Sequence, residues 1–312
     1  MRDKVNEIFE VPNEAKSFIH MMISDSEMRL IYMMGDKLYT RNELIELISD
    51  NFDINPKQFI ENSYKRSVLD KENRDEIIYF KVSNVYSRLA VFAQFENDIW
   101  ENIDFNIRKS VDEWYVNEYA NRSKSKVEAF RKGEVGVIEN AYFFTIEETL
   151  KLIEESEKNL YVLPCNCKAV AMNCSKPIDV CIQFEEGINT MVDRGWGKKI
   201  TKDEAKEIIK NANKSGLMHT SETDSAICNC DGCCCYPIRA SKILKTKNEW
   251  PKKIHKINWD KEKCIDCGKC TKICNFEAFY KNNKVVEFNE DKCCGCTICK
   301  DNCPVGAINL IY

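Results

Sequence analysis

Eighteen cysteines dominate the chemistry open to this 312-residue chain. None occurs in the first 164 residues, and all lie between Cys165 and Cys303 in four dense groups. Residues 1–16 are charged and contain no apolar signal core, so we expect a cytoplasmic protein with reduced thiols. Dense groups of reduced thiols favour metal over disulfide bonds. We expect polynuclear iron–sulfur sites, where several thiolates converge on one cage, in the cytoplasm of an anaerobe.

Two cysteine runs with identical spacing follow one another near the end of the sequence. The first consists of Cys264, Cys267, Cys270 and Cys274. The second begins after 18 residues and consists of Cys293, Cys296, Cys299 and Cys303. Intervals of two residues let three successive thiolates reach three corners of one cubic cluster. Zinc sites instead use ligand pairs at longer separation, so the pattern indicates two [4Fe–4S] clusters.

This segment resembles the bacterial-type ferredoxins with two [4Fe–4S] clusters over about residues 258–311. The repeat continues beyond the cysteines, because Ala278-Phe279 matches Ala307-Ile308. In such ferredoxins the fourth cysteine of each run binds the other cluster. The resemblance therefore implies one ligand set of Cys264, Cys267, Cys270 and Cys303, and another of Cys293, Cys296, Cys299 and Cys274. Asn275 stands where the family has proline, and we expect only a local effect on the turn.

Residues 161–250 form a second cysteine-rich segment with nine candidate metal ligands. They are Cys165, Cys167, Cys174, Cys181, Cys228, Cys230, Cys233, Cys234 and Cys235. Neighbouring side chains of an extended chain alternate in direction, so the last three cannot all point at one site. The pattern leaves several alternatives: one or two further [4Fe–4S] clusters, a mononuclear zinc or iron site, redox-active thiols without metal, or an unusual larger cluster.

Most of the chain resembles a group of anaerobe proteins known as 4Fe–4S binding proteins. The resemblance rests on the runs Pro164 to Cys181 and Ile227 to Cys235, and on the segment Gly216 to His219 between them. These proteins begin with a winged-helix-like segment and end in a two-cluster ferredoxin. The chain departs from them at Asp231, where many relatives have cysteine, and not every thiol of this run is expected to ligate.

Residues 1–100 carry helix and strand signals in an order typical of a winged helix. Helices are predicted over 27–34, 40–48, 55–66 and 85–99, with a polar turn at 70–75 and a strand at 77–80. Nucleic-acid affinity needs a basic face, whereas this segment has 13 Lys and Arg against 18 Asp and Glu. The charge disfavours nucleic acid and favours protein docking or a homodimer formed through this domain.

We therefore predict an α+β multidomain protein. Its domains are a winged-helix-like domain (1–100), a helical connector (101–160), a cysteine-rich helical cluster domain (161–250) and a 2[4Fe–4S] ferredoxin domain (251–312). No run of about 18 apolar residues indicates a membrane span.

The expected function is the transfer of single electrons, through the two ferredoxin clusters and one or two further clusters, to a redox partner. That partner would be an oxidoreductase or a flavoprotein. One alternative is a redox enzyme, or a subunit of one, with a catalytic open-iron cluster in residues 165–235. The other is a redox-sensing regulator that binds DNA.

Overall fold

The described residues of the computed structural model are 1–185, 187–221 and 226–311, and they form two compact units. The first unit comprises residues 1–115, 169–171 and 187–197. The second comprises residues 116–168, 172–185 and the described part of 198–311. All eighteen cysteines belong to the second unit, so the metal chemistry of the thiols is confined to it.

The first unit consists of short helices and a three-stranded antiparallel sheet. Its helices are α1 (Arg2–Ile8), α2 (Ile19–Met22), α3 (Asp25–Met34), α4 (Arg41–Asn51), α5 (Pro56–Lys65), α6 (Val85–Phe95) and α7 (Asn97–Glu101). Its strands are β1 (Tyr39–Thr40), β2 (Leu69–Arg74) and β3 (Ile77–Val82), in the sheet order β1-β3-β2. Helix α8 (Phe105–Arg131) then carries the chain into the second unit.

Local signals in the sequence begin the central helices of this unit. Ser24 and Thr40 form capping boxes with Glu27 and Glu43, and Asn55 caps α5. Each cap satisfies backbone N–H groups that have no partner inside the helix, and the helices predicted here are confirmed. Their apolar faces and the β2–β3 hairpin share one core, formed by Leu30, Met34, Leu44, Ile48, Ile60, Tyr64, Leu69 and Phe80.

Two predictions for this unit are wrong in detail. Most of the segment 70–75, predicted as a turn, lies in strand β2, and Asp75 and Glu76 form the turn with positive φ angles. Glu72 accepts a hydrogen bond from Lys81 across the hairpin at 2.7 Å, and such cross-strand pairs offset weak strand propensity. The helix predicted over 85–99 divides at Glu96, which ends α6 and begins α7.

The second unit combines one large antiparallel sheet with two small strand pairs. Its further helices are α9 (Ile146–Glu155), α11 (Lys202–Lys214), α12 (Tyr236–Leu244), α13 (Lys269–Ile273) and α14 (Ile298–Asp301), and it contains the first half of α10 (Asn166–Ala171). The strands of the large sheet are β4 (Tyr142–Phe144), β5 (Leu160–Pro164), β6 (Asp179–Phe184), β7 (Lys198–Ile200), β8 (Met218–Ser221) and β9 (Ala226–Cys230). The small pairs are β10 (Lys256–Trp259) with β13 (Ile308–Ile311), and β11 (Phe279–Asn282) with β12 (Val285–Phe288).

The large sheet corrects the prediction that the cysteine-rich segment is helical. Among the described residues its strands lie in the order β4-β8-β9-β6-β5-β7, and each neighbouring pair is antiparallel. Helices α9 and α11 pack Ile153, Ala205 and Ile209 into one core with Ile182 and Ile227 of the strands. The sheet is thus held by contacts between segments distant in sequence, which local patterns do not reveal.

Strands β10 and β13 flank the segment with the repeated cysteine runs, and the pair β11–β12 lies between the two runs. Helix α13 contains Cys270 and helix α14 contains Cys299, so each run places its third cysteine on a short helix. The two halves of the repeat therefore have similar local structure. In the described part of the chain, no helix combines the length and the apolar character needed to cross a bilayer.

A partly buried ion-pair network lies within the first unit. Arg66 Nη1 is 2.6 Å from Glu27 Oε2, and the Glu27 side chain is 3% exposed. Arg88 pairs with Glu96 at 2.6 Å and also donates to the carbonyl oxygen of Met22. Burial, offset in part by Glu96, lowers the pKa of Arg88 to about 10. Every charge of this network has a partner, as buried charges require.

The substitution Arg66→Ala should lower the free energy of unfolding by about 3 kcal/mol, because it leaves the Glu27 carboxylate buried without its partner. Urea denaturation of the full chain, followed by circular dichroism, measures this change. The matched control is Arg41→Ala, since Arg41 forms an exposed pair with Glu61 at 2.8 Å. That control should change stability by less than about 1 kcal/mol. Equal effects of the two substitutions would contradict a structural role for the buried network.

Candidate metal centres

One cavity of the second unit is lined by four cysteines from both runs of the repeat. They are Cys264, Cys267, Cys270 and Cys303. The other walls are mainly apolar and include Trp259, Val286 and Ile308. The backbone N–H of Ala307 donates to the sulfur of Cys303 at 3.3 Å. The first three thiols thus meet the last thiol of the second run.

A second cavity has the complementary set of thiols. It is lined by Cys274, Cys293, Cys296 and Cys299, together with Cys294. The backbone N–H of Ala278 donates to the sulfur of Cys274 at 3.2 Å, which repeats the contact between Ala307 and Cys303. The structure therefore brings together the two crossed sets that the ferredoxin resemblance implies.

The donor chemistry of both cavities fits [4Fe–4S] clusters. Burial, followed by the nearby thiols, raises the pKa of Cys270 to about 11. Burial also raises the pKa of Cys296 and Cys299 well above the ordinary thiol value. Thiolates in such apolar surroundings need a metal to balance their charge. Cluster binding would release the thiol protons and couple metal content to folding.

Asn275 does more than shape a local turn, contrary to expectation. Its Oδ1 accepts a hydrogen bond from the backbone N–H of Gly232 at 3.0 Å, and its Nδ2 donates to the carbonyl oxygen of Gly216 at 3.2 Å. A Cβ atom on Gly232 would lie 2.5 Å from the backbone oxygen of Asn275, so glycine permits this close approach. Asn275 thereby connects the ferredoxin segment to the two loops that follow α11 and β9.

Six of the nine other thiols form one continuous group, here called the six-thiol group. Its members are Cys165, Cys167, Cys181, Cys228, Cys230 and Cys235, and each interacts electrostatically with at least one other member. Residues two apart in a strand point to the same side, which explains the interval between Cys228 and Cys230 on β9. Cys165 lies at the start of α10 and Cys235 at the start of α12.

Neighbouring thiols shift the pKa values within the six-thiol group in opposite directions. Donation from Cys165 and Cys235 lowers the pKa of Cys167 well below the ordinary thiol value, and the backbone N–H of Tyr236 also donates to its sulfur. Donation from Cys228 and Cys235 lowers the pKa of Cys230 in the same way. Cys167 and Cys230, whose pKa is lowered, are therefore the strongest candidate thiolate ligands of the group.

The remaining thiols form a separate group with a carboxylate. Cys174, Cys233 and Cys234 have their sulfurs near an oxygen of Asp231, and the four ligand atoms lie within 4.8 Å of one another. The triple cysteine is thus divided, because Cys235 joins the six-thiol group. Sequence reasoning named Asp231 only as a departure from relatives. An aspartate this close to three cysteines in the sequence indicates a metal site with both sulfur and oxygen ligands.

Lys168 is a charged residue that sequence reasoning did not select. Its side chain is 4% exposed, and its Nζ donates to the carbonyl oxygen of Asn229 at 2.9 Å and lies 3.8 Å from Asp231 Oδ2. Burial lowers its pKa, but the charges of Cys165, Cys230 and Asp231 outweigh burial and the net pKa is raised. A buried ammonium thus balances negative charge in both thiol groups.

The six-thiol group and the second ferredoxin cavity share one apolar core. Cys230 and Cys235 pack there with Cys294 and Cys296, and the partly buried Cys228 and Phe276 join them. Cys294 falls outside the repeat. Burial raises its pKa to about 11, which is the behaviour of an inert packed thiol.

Residues 257–310 match the family model described as "4Fe-4S dicluster domain". The chain is 40% identical to a ferredoxin of Methanothermococcus thermolithotrophicus over 55 residues, which cover 17% of this chain and 92% of that ferredoxin. It is 43% identical to the pyruvate synthase subunit PorD of Methanothermobacter marburgensis over 51 residues, 16% of this chain and 59% of the subunit. The PorD subunit of Thermotoga maritima is 41% identical over 51 residues, 16% of this chain and 52% of the subunit.

No solved structure matches the chain. The chain spans little more than half of each of these two pyruvate synthase subunits, but it covers nearly the whole archaeal ferredoxin. A 4Fe–4S dicluster domain holds two [4Fe–4S] clusters, and the paired cavities of four cysteines fit that cofactor. This chain belongs to the family of ferredoxins with a 4Fe–4S dicluster domain, which it carries in residues 257–310.

Proposed function

We propose that this protein relays single electrons between its dicluster domain and one further [4Fe–4S] cluster bound by the six-thiol group. Iron–sulfur clusters store and release one electron at a time, with potentials tuned by burial and by hydrogen bonds to sulfur. The observation that carries the proposal is the shared apolar core of Cys230 and Cys235 with Cys294 and Cys296. Electron tunnelling falls steeply with distance, so direct packing of the two cysteine regions favours a relay.

The proposed role of the residues is to bind the clusters and to set their charge environment. The eight cysteines of the repeat bind the two ferredoxin clusters in crossed sets, and four members of the six-thiol group, Cys230 among them, bind the third. Backbone donors from Ala278, Ala307 and Tyr236 contact ligand sulfurs. Lys168 supplies a positive charge. The backbone donors and this charge both favour the reduced, more negative state of a cluster.

The proposed partner is an oxidoreductase that exchanges electrons with the dicluster domain. Two of the relatives are named as subunits of pyruvate synthase, which supports this class of partner. For residues 1–100 we propose a winged-helix-like domain that docks a protein or a second copy of the chain. The order of α3, β1, α4, α5 and the β2–β3 hairpin supports the fold, and the excess of acidic residues supports a protein partner over nucleic acid.

Anaerobic iron and acid-labile sulfide analysis of the full chain tests the third cluster. We expect about 12 sulfides per chain, four for each [4Fe–4S] cluster. The substitution Cys230→Ala should reduce this to about 8 and leave the ferredoxin pair. A wild-type content of about 8 sulfides per chain after full reconstitution would refute a cluster in the six-thiol group. It would leave the assignment of the two ferredoxin clusters unchanged.

Alanine substitutions test the crossed ligand sets of the dicluster domain. Cys264→Ala and Cys303→Ala should remove the same cluster, because both thiols line the same cavity. Each variant should then show the same remaining ferredoxin cluster by electron paramagnetic resonance and the same potential in redox titration. Cys299→Ala serves as the matched variant of the other set. If Cys303→Ala resembled Cys299→Ala instead, the sets would not be crossed.

The substitution Lys168→Met should lower the potential of the third cluster by roughly 50–100 mV, which corresponds to about 1–2 kcal/mol for one electron. The reason is that the buried ammonium stabilises the additional negative charge of the reduced state. Lys168→Arg should largely preserve the potential. The control is Lys198→Met, since the side chain of Lys198 is 76% exposed. Equal shifts in the two methionine variants would exclude a specific role for Lys168.

A further inference from the structure

We propose that Cys174, Cys233, Cys234 and Asp231 bind a single divalent ion, Zn²⁺ or Fe²⁺, at a site separate from the clusters. The sulfur of Cys234 is 3.7 Å from the sulfurs of both Cys174 and Cys233. Asp231 Oδ2 is 3.3 Å from the sulfur of Cys174, and Oδ1 is 3.2 Å from that of Cys233. The site lies beyond the proposed electron relay and does not depend on it.

The two sulfur–sulfur distances and the distance from Cys174 to Asp231 Oδ2 fit one tetrahedral ion. Metal–sulfur bonds of about 2.3 Å in a tetrahedral site hold two sulfurs about 3.8 Å apart. With a metal–oxygen bond of about 2.0 Å, a sulfur and an oxygen are about 3.5 Å apart. In a [4Fe–4S] cluster each thiolate binds a different iron, so the sulfurs stand farther apart. The spacing of this group therefore favours one ion over a cubic cluster.

Asp231 is held in a fixed position at the end of β9. It is 1% exposed, and its Oδ1 accepts hydrogen bonds from the backbone N–H groups of Cys233 at 3.1 Å and Cys234 at 2.7 Å. These bonds fold the loop so that both cysteine side chains turn toward the carboxylate. Cys174 reaches the same point from the segment before β6, where Asn173 donates to the carbonyl oxygen of Cys233 at 3.1 Å.

Charge and access also suit a metal ion. Three thiolates and one carboxylate carry four negative charges, and a divalent ion with the Lys168 ammonium would neutralise most of them. Cys233 is exposed, so an ion can reach the site from solvent. Cys234 is buried, and it would anchor the ion on the protein side. Mixed sulfur and oxygen donors are within the range that zinc and ferrous iron accept.

Metal and sulfide analysis of the full chain, purified without oxygen, tests the site. Mass spectrometry of the wild type should show one Zn²⁺ per chain, or one iron more than the sulfide content. Cys174→Ala should lose that ion and retain all of its sulfide. Loss of four irons with four sulfides would overturn the proposal in favour of a cluster, and an unchanged metal content would overturn it as well.

Three further variants separate loss of a ligand from loss of folding. Asp231→Cys replaces the oxygen ligand with sulfur and should retain the ion, whereas Asp231→Ala should bind it at least tenfold more weakly. Cys294→Ala removes a buried thiol outside the site and should leave the ion content unchanged. With Co²⁺ as the probe, Asp231→Cys should show stronger thiolate-to-cobalt absorption than the wild type. Equal spectra would overturn the role of Asp231 as a ligand.

Discussion

The second unit depends on balancing the negative charge of thiolates that are gathered in an apolar interior. Burial raises the pKa of the ferredoxin cysteines such as Cys296 and Cys299, so these side chains favour the neutral form unless a metal compensates them. Backbone N–H donors and the ammonium of Lys168 supply part of the compensation. Binding of the two ferredoxin clusters would therefore couple metal content to the folding of this unit.

The large sheet is the scaffold that positions the nine thiols outside the ferredoxin segment. Strand β9 presents Cys228 and Cys230 on one side, and the loop after it turns at Asp231 to direct Cys233 and Cys234 elsewhere. The ferredoxin segment is joined to this scaffold by polar contacts. Asn302 Nδ2 donates to the carbonyl oxygen of Asn213 at 3.1 Å, and Asn275 contacts the loops at Gly216 and Gly232. Hydrogen bonds from polar side chains thus fix the position of the ferredoxin segment relative to the other cysteine region.

Local signals allowed the helices and the ferredoxin runs to be predicted. The capping box at Thr40 acts within one turn of chain, and the three-residue repeat of Cys264 to Cys270 needs no distant contact. The sheet of the cysteine-rich segment was missed because not all of its strands carry a clear apolar pattern. Strand β9 has only Ala226 and Ile227 as ordinary apolar residues, and its stability comes from pairing with β6 and β8. Such pairing energy depends on neighbours that a local pattern does not contain.

The sequence by itself determined the type of ligand and the spacing inside each cysteine run, because both are properties of a short stretch of chain. The resemblance to ferredoxins added the crossing of Cys274 and Cys303. Only the tertiary structure decided how the nine other thiols divide, with six in one group and three beside Asp231. That division follows from distances between segments far apart in sequence, such as Cys174 and Cys234. Those distances are set by the pairing of strands and by packing in the core.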